Sequence, residues 1–158
     1  MPKLLKRKIK MNSKRSILTH IFGCNVISSE YKIKFGQCDP GGVMYFTVLF
    51  DLAHWTYEDL LQESLPEINY FEHDSLAIPL VHAEADYLKP LKLHQKVACK
   101  LEVAELKTSS FTLITNFYDQ SGTQAAVVKT VHVCVGREKF NKIEIPDDLR
   151  QVLSNHSG

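Results

Sequence analysis

Apolar and polar residues alternate along several stretches of the chain, and these alternations predict β-strands. The first strand begins near Asn25, and it alternates Tyr31, Ile33 and Phe35 with charged neighbours, which is the period of a half-buried strand. Four more candidates are Ala77–Leu88, Lys96–Leu106, Ser110–Tyr118 and Thr123–Arg137. Short polar turns separate these four candidates, so the pattern predicts an antiparallel meander.

A long apolar run between the first two strands predicts a helix from Val43 to Glu63, because the run contains neither Pro nor Gly and Pro66 comes shortly after it. Its first half is apolar on nearly every side, so we expect that half to be buried all round. The predicted fold class is therefore α+β, with an antiparallel five-stranded sheet wrapped around a long central helix. A short terminal helix is expected after Pro146.

The composition indicates one globular domain. The 158 residues are 44% hydrophobic, which is enough for a core without disulfide support. The four cysteines are Cys24, Cys38, Cys99 and Cys134. Their spacing is not that of a metal site, so we expect reduced thiols and a cytoplasmic location. The sequence shows no apolar run long enough for a secretory signal or a transmembrane segment.

Charge is distributed unevenly along the chain. The first 29 residues carry seven bases and no acid, whereas the remainder carries 12 bases against 18 acids. A negative body argues against nucleic acid as a partner. We interpret residues 1–24 as a flexible basic extension or the product of an upstream start codon, with an anionic contact or an organellar presequence as alternatives. The predicted domain spans residues 25–153, and residues 154–158 form a tail.

Two motifs carry a resemblance to a known family. The DPGG turn, Asp39 to Gly42, lies between the first strand and the predicted helix. The stretch AIPLVHAEADYLKPLKLHQ contains an Asp-aromatic pair followed by a base and Pro. With these motifs, Val26 to Leu153 resembles the hotdog-fold thioesterases of the 4-hydroxybenzoyl-CoA thioesterase type, and among them it is most similar to the 1,4-dihydroxy-2-naphthoyl-CoA thioesterases.

The resemblance implies a hotdog fold and hydrolysis of an acyl-CoA, for example an aromatic one such as 1,4-dihydroxy-2-naphthoyl-CoA, to the free acid and coenzyme A. It implies no separate cofactor, since coenzyme A is part of the substrate, and no metal. It also implies a homodimer with the active site between subunits. A tetramer built as a dimer of dimers is expected.

The DPGG turn supplies both groups that thioester hydrolysis needs. Asp39 is ionised at neutral pH in an ordinary environment, so it is the candidate nucleophile or general base. We expect the helix to begin at Val43 or Met44, so that the amides near Gly42 to Met44 polarise the carbonyl. Because Asp before Pro also caps helices well, a capping role is the alternative.

Four further side chains are candidates for the substrate pocket: Tyr45, Phe46, His54 and His82. Many related enzymes carry His or Tyr where this chain has Phe46. The hydroxyl of Tyr45 and the ring of Phe46 suit an aromatic acyl group, with core packing as the alternative. His54 shares a helix face with two acids, which also fits an exposed polar stripe. His82 shares a strand face with two acids, which also fits solvated or subunit-facing surface.

The phosphates of coenzyme A require bases or hydrogen-bond donors. Lys89, Ser109, Ser110 and Arg137 are candidates at predicted strand ends. Ordinary solvated surface is the alternative for each of them.

Two other functions fit a hotdog domain. A dehydratase acting on acyl carrier protein needs a His–acid pair, which only His54 supplies on the helix or turn. A non-catalytic acyl-CoA-binding domain needs no catalytic carboxylate. The chain has no Gly-x-Gly-x-x-Gly motif, P-loop or Gly-x-Ser-x-Gly elbow, which argues against dinucleotide, triphosphate and serine hydrolase chemistry.

Overall fold

The computed structural model describes residues 19–21 and 24–157. Its elements are β1 Thr19–Ile21, β2 Cys24–Lys32, α1 Val48–Ser64, β3 Leu76–Ala77, β4 Leu80–Tyr87, β5 Lys96–Leu106, β6 Ser110–Tyr118, β7 Gln124–Val133, β8 Val135–Gly136 and α2 Asp147–Ser154. The bounds of β5, β6 and the terminal helix α2 confirm the prediction. Residues 1–18 and 22–23 of the predicted basic extension lie outside the described residues.

The main sheet is antiparallel and has the strand order β1-β2-β5-β6-β7-β4, while β3 and β8 form a separate pair. Its five long strands confirm the predicted five-stranded sheet and the α+β class, and the short β1 adds a sixth strand beside β2. The predicted meander is wrong at one place, because β4 pairs with β7 and not with β5. The amides of Leu88 and Lys89, just beyond β4, donate to the carbonyl of Ala125, so the chain stays beside β7 before it crosses to β5.

One face of α1 packs against the sheet along the whole helix. Its buried residues recur at intervals of three or four, and they are Val48, Leu49, Leu52, Ala53, Thr56, Tyr57, Leu60 and Leu61. The prediction that the first half is buried all round is wrong for this chain, since Trp55 is exposed. The hydroxyls of Ser29 and Tyr31 donate to Oδ2 of Asp59 at 2.9 and 3.1 Å, which ties α1 to β2.

The C-terminal segment closes the far end of the core. Leu149 and Leu153 of α2 are fully buried, and the hydroxyl of Tyr70 donates to Asp148 at 2.5 Å. After α2 the chain returns to the sheet, where the amide of Val103 donates to the carbonyl of His156 at 2.9 Å. The residues predicted as a tail are thus part of the packed domain up to Ser157.

Two further expectations concern the membrane and the cysteines. Among the described residues, no helix has the length and apolar character to cross a bilayer. Cys38, Cys99 and Cys134 are free thiols. Burial raises the pKa of the Cys134 thiol to about 11, so this cysteine stays a neutral thiol at physiological pH.

Candidate active site

The DPGG turn is the closed end of a small hairpin. Cys38 and Met44 form an antiparallel bridge, the amide of Asp39 donates to the carbonyl of Val43 at 2.9 Å, and the amide of Gly42 donates to the carbonyl of Asp39 at 3.0 Å. Gly42 has a φ of 75°, a left-handed conformation that glycine adopts without steric cost. The hairpin therefore fixes the backbone of Asp39 on both sides.

The two oxygens of the Asp39 carboxylate have different surroundings. Oδ1 accepts hydrogen bonds from the amides of Gly41 at 2.8 Å and Val43 at 3.2 Å. No donor among the described residues contacts Oδ2, and the side chain is exposed. A Cβ at position 41 would lie 3.2 Å from Oδ1, so glycine keeps this bond unobstructed. Asp39 thus caps its own turn with one oxygen and leaves the other oxygen available.

The predicted start of the central helix is wrong, because α1 begins at Val48. The backbone at Val43 and Met44 is extended instead, because it pairs within the hairpin and against the loop after β4, where Met44 donates to the carbonyl of Leu91 at 2.7 Å. Since α1 starts nine residues after Asp39, the alternative that Asp39 caps the helix is also wrong. The capping position of α1 is held by Thr47, whose side chain makes no capping bond within the described structure.

The amides that the sequence analysis assigned as hydrogen-bond donors to the substrate carbonyl already donate to other groups of the protein. Those of Gly42 and Val43 donate to Asp39, and that of Met44 donates to Leu91. Within the described part of the chain, the amides of Phe46 and Thr47 meet no acceptor. They belong to the two residues directly before α1, next to the positive end of the helix dipole.

A cavity of about 280 Å³ lies beside the turn. It is lined by Val43, Met44, Leu49, Tyr87, Leu88, Lys89, Pro90, Leu91 and Ala126. The hydroxyl of Tyr87 donates to the carbonyl of Phe46 at 2.9 Å and so helps to fix the start of α1. Sequence reasoning missed Tyr87 as a site residue, although the Asp-aromatic pair of the second motif contains it. Of the four candidates for coenzyme A contacts, only Lys89 lines this cavity.

Aromatic side chains surround the turn on its exposed side. Phe35 is 82% exposed, and Tyr45, Phe46 and Tyr87 are each about half exposed. The rings of Tyr45 and Phe46 are tilted against each other with centroids 4.8 Å apart. The alternative that these two residues belong to the core is wrong for this chain. Such a concentration of exposed aromatic surface is typical of a binding site or a subunit contact.

A second cavity of about 50 Å³ lies further along α1, and we call it the His132 cleft. It is lined by Phe50, Ala53, His54, Tyr57, Leu80, Thr130 and His132. His54 is exposed at its mouth, whereas His132 is buried. Burial, reinforced by the nearby His54, lowers the pKa of His132 to about 4. Burial also raises the pKa of Tyr57, so both buried groups are neutral at pH 7.

The structure places His82 away from both cavities. Its neighbour Ala85 packs toward the core, whereas His82 and Glu84 alternate onto the opposite face of β4. His82 Nε2 lies 3.4 Å from Glu84, whose other oxygen is 2.9 Å from Nζ of Lys129. Hydrogen bonds from Lys129 and His82 lower the pKa of the Glu84 carboxyl. In this chain His82 therefore lies on the surface beside the ion pair of Glu84 and Lys129.

Ser109, Ser110 and Arg137 lie at the end of the sheet remote from Asp39. At that end of the sheet, Ser110 of β6 pairs with Val133 of β7. At the other end, next to the turn, Tyr87 of β4 pairs with Ala126 of β7. Nε of Arg137 donates to the carbonyls of His73 at 2.6 Å and Leu76 at 3.2 Å. The guanidinium thus holds the loop before β3, and the structure does not bring these three residues to Asp39 or Lys89.

The chain is similar in sequence to known thioesterases. The sequence model of the thioesterase-like superfamily matches residues 33–153. A 1,4-dihydroxy-2-naphthoyl-CoA hydrolase of Thermosynechococcus vestitus is 30% identical over 118 residues, which covers 74% of this chain and 81% of the relative. The protein of the same name from Gloeothece citriformis is 31% identical over 125 residues, covering 77% and 87%.

Solved structures show the same fold. A 1,4-dihydroxy-2-naphthoyl-CoA thioesterase from Synechocystis superposes with a TM-score of 0.76 at 21% identity, covering 82% of this chain and 96% of that one. The Dynemicin thioesterase gives a TM-score of 0.78 at 18% identity, covering 83% and 96%. The chain therefore belongs to the thioesterase-like superfamily, and it is a thioester hydrolase with the hotdog fold that its sequence predicts.

Proposed function

We propose that this chain hydrolyses an aromatic acyl-CoA, of which 1,4-dihydroxy-2-naphthoyl-CoA is the leading candidate, with Asp39 as the catalytic carboxylate. The observation that carries the proposal is the Oδ2 of Asp39, which no described donor contacts, on the hairpin whose second strand leads to the unpaired amides of Phe46 and Thr47. A free carboxylate oxygen and unsatisfied amides are the base and the oxyanion donors of acyl transfer.

The same geometry serves two chemical routes. In one, Asp39 takes a proton from water as the water oxygen attacks the thioester carbon. In the other, the carboxylate oxygen attacks that carbon, and water then hydrolyses the mixed anhydride. In both, negative charge develops on the carbonyl oxygen, the C–S bond breaks, and coenzyme A leaves as a thiolate that is then protonated. We assign the oxyanion to the amides of Phe46 and Thr47, where each donor contributes about 3–4 kcal/mol to transition-state stabilisation.

The surroundings of Asp39 support an aromatic acyl group. The exposed rings of Tyr45, Phe46 and Tyr87 offer stacking and edge contacts to a planar substituent. The relatives from Thermosynechococcus vestitus and Gloeothece citriformis are both named for 1,4-dihydroxy-2-naphthoyl-CoA. Lys89, at the cavity wall, is the base that we assign to a phosphate of coenzyme A.

The edge strand β4 supports a homodimer, which we propose assembles further into a tetramer in the cytoplasm. Every residue of β4 except Ala85 is exposed in the single chain, and Leu80, Val81 and Tyr87 present apolar surface there. An exposed edge of this kind invites pairing with a second chain. Light scattering at micromolar concentration tests the assembly, and a monomeric mass would refute it.

The decisive experiment replaces Asp39 by Asn and measures release of coenzyme A from aromatic acyl-CoAs. The chain contains a comparable turn at Asp119, which has the same two amide hydrogen bonds and one more from the hydroxyl of Ser121. Oδ1 of Asp119 accepts from the amides of Ser121 at 2.8 Å and Thr123 at 3.0 Å, and Gly122 has a φ of 78°. Asp119→Asn therefore perturbs a similar turn that holds no proposed catalytic carboxylate, and because Asp119 lies near Lys89, the quantity compared is kcat and not KM.

We expect Asp39→Asn to lower kcat by about 10²–10⁴-fold, the usual range for a catalytic acid or base. Asp119→Asn is expected to retain kcat within about twofold, because Asp119 has no proposed part in the chemical step, and surface changes of this kind rarely disturb the fold. Equal loss of stability in the two variants, measured by urea unfolding, would show that the turns are equally perturbed. A folded Asp39→Asn enzyme with wild-type kcat would refute the assignment.

A further inference from the structure

The side chain of Tyr87 reaches from β4 to the backbone directly before α1. Its hydroxyl donates to the carbonyl of Phe46 at 2.9 Å, although the two residues are 41 positions apart in the sequence. The ring is 53% exposed, and it forms part of the wall of the cavity beside the DPGG turn. Partial burial raises the pKa of Tyr87, so the hydroxyl keeps the proton that it donates throughout the neutral pH range.

The contact matters because of the group at the other side of the same peptide. The carbonyl of Phe46 and the amide of Thr47 belong to one peptide unit, which is trans and planar. In a trans peptide the C=O and N–H bonds point in opposite directions. By holding the carbonyl, Tyr87 therefore also sets the direction of the Thr47 N–H, which points away from Tyr87 and meets no acceptor among the described residues.

The turn that contains this peptide does not fix it. The amide of Val48 donates to the carbonyl of Tyr45 at 3.0 Å, and this bond closes a turn over residues 45–48. A turn keeps its closing bond when the peptide at its centre rotates, since types I and II differ in the orientation of that peptide. The central peptide here is the one between Phe46 and Thr47. Its orientation therefore depends on a contact from outside the turn.

We propose that Tyr87 is a positioning residue for thioester hydrolysis, whose hydroxyl aims the amide of Thr47 at the oxyanion. This inference rests on the proposed function, in which that amide is one of the two oxyanion donors. The hydroxyl has a single proton, and the carbonyl of Phe46 accepts it, so the hydroxyl is not itself a donor to the oxyanion. Tyr87 thus has two separable parts: a ring that contacts the acyl group and a hydroxyl that orients the backbone.

Positioning of this kind acts on the transition state more than on the bound substrate. Oxyanion donors are effective because they already point to the place where negative charge develops. A peptide that is free to rotate has to be oriented during the reaction, which uses up part of that stabilisation. A hydrogen bond to the carbonyl also polarises the peptide and strengthens its N–H as a donor. The bound thioester carries little charge on its oxygen, so its binding depends less on this amide.

The test measures kcat and KM separately for Tyr87→Phe and Tyr87→Leu, with 1,4-dihydroxy-2-naphthoyl-CoA as the substrate. Tyr87→Phe loses the hydroxyl and keeps the ring. Its kcat is expected to fall about threefold to tenfold, as the loss of one hydrogen bond predicts, with KM unchanged within about twofold. Tyr87→Leu loses both parts, so it is expected to show the same fall in kcat together with a KM that is about threefold higher, as the loss of an aromatic contact predicts.

Tyr70→Phe is the matched control, because it also removes a tyrosine hydroxyl that donates to a single acceptor. That acceptor is Asp148 of α2, at the far end of the core. Tyr70→Phe is expected to lose stability in urea unfolding and to keep kcat and KM within about twofold. Light scattering is used to check that the Tyr87 variants keep the wild-type mass, since β4 is also the proposed subunit contact.

An unchanged kcat in Tyr87→Phe would overturn the inference, whether or not KM rises. A fall in kcat of more than about 10²-fold would overturn it too, because that is the loss expected when a direct donor to the oxyanion is removed. An equal fall in Tyr70→Phe would show that general loosening of the fold explains the change. Failure of the proposed function looks different: the wild type would not hydrolyse the thioester faster than the uncatalysed reaction, or Asp39→Asn would hydrolyse it at the wild-type rate.

Discussion

The buried His132 makes the stability of the protein depend on pH in a predictable way. Burial lowers the pKa of His132 from its ordinary 6.5 to about 4 in the folded protein. Above pH 6.5 the imidazole is neutral in both the folded and the unfolded chain, so its contribution to stability is fully present. As the pH falls below 6.5, the unfolded chain binds a proton that the folded chain refuses, and the free energy of unfolding decreases.

The size of this effect is set by the difference between the two pKa values. Each unit of difference corresponds to 1.36 kcal/mol, so the full loss is about 3 kcal/mol once the pH has fallen below 4. At pH 5 about 2 kcal/mol is already lost. The other titratable groups that the ring contacts are Tyr57 and His54. Of these, Tyr57 stays neutral throughout this range, and His54 is present in both wild type and the variant.

The assay compares wild type with His132→Gln by urea unfolding at pH 8 and pH 5. The single tryptophan, Trp55, lies on α1 with its ring 5.9 Å from that of Tyr31, so its fluorescence reports the docking of the helix. Protein concentration is held constant because assembly also adds to stability. Between the two pH values, wild type should lose about 2 kcal/mol more than the variant. Equal losses in the two proteins would refute the reasoning.

Two further predictions concern the turn and the helix. Gly42→Ala and Gly122→Ala each place a Cβ on a residue with a left-handed backbone conformation, and no described atom lies within 4 Å of the new Cβ. Each substitution should therefore lower the free energy of unfolding in urea by about 1–2 kcal/mol. Only Gly42→Ala should also slow thioester hydrolysis. Equal kinetics in the two variants would contradict the site assignment. Asp59→Ala leaves the hydroxyls of Ser29 and Tyr31 without their acceptor and should lower the free energy of unfolding by about 2 kcal/mol, whereas an unchanged urea midpoint would show that these bonds contribute nothing.

The elements that the sequence predicts well are those whose pattern reflects local geometry. Alternation interrupted by polar turns is enough to locate the bounds of β5 and β6. It is not enough to locate the partner of β4, because strand pairing depends on where the chain crosses the sheet, and β4 is equally compatible with β5 as a neighbour. In β7 the alternate valines between Val127 and Val135 suggest that the odd-numbered residues face the core. The inward residues are instead Ala126 and Val128, in the core with Phe117.

The alternation of β7 explains why the sequence does not reveal that His132 is buried. Its position shares a face with Val128 through the alternation of the strand, and the register places it opposite Phe111. In the sequence, a histidine between two valines in a strand indicates a position that faces solvent. Only the pairing of β7 with both β6 and β4 turns this residue toward α1, where Tyr57 lies. A feature built from four elements of the fold has no local signal in the chain.

The two aspartate turns show which properties of Asp39 are local and which come from the fold. Asp39 and Asp119 accept the same pair of amide hydrogen bonds, and each turn has a glycine with positive φ at its fourth position. The turn itself is therefore a structural unit that carries no chemistry.

The two sites differ in the element that each turn leads into. The turn at Asp119 leads directly into β7, whose amides enter the sheet. The chain after Asp39 leads toward α1, and the amides of Phe46 and Thr47, directly before that helix, meet no acceptor within the described residues. In the proposed mechanism, the catalytic potential of this site thus depends on the junction of a capped turn with a helix that lacks a side-chain cap.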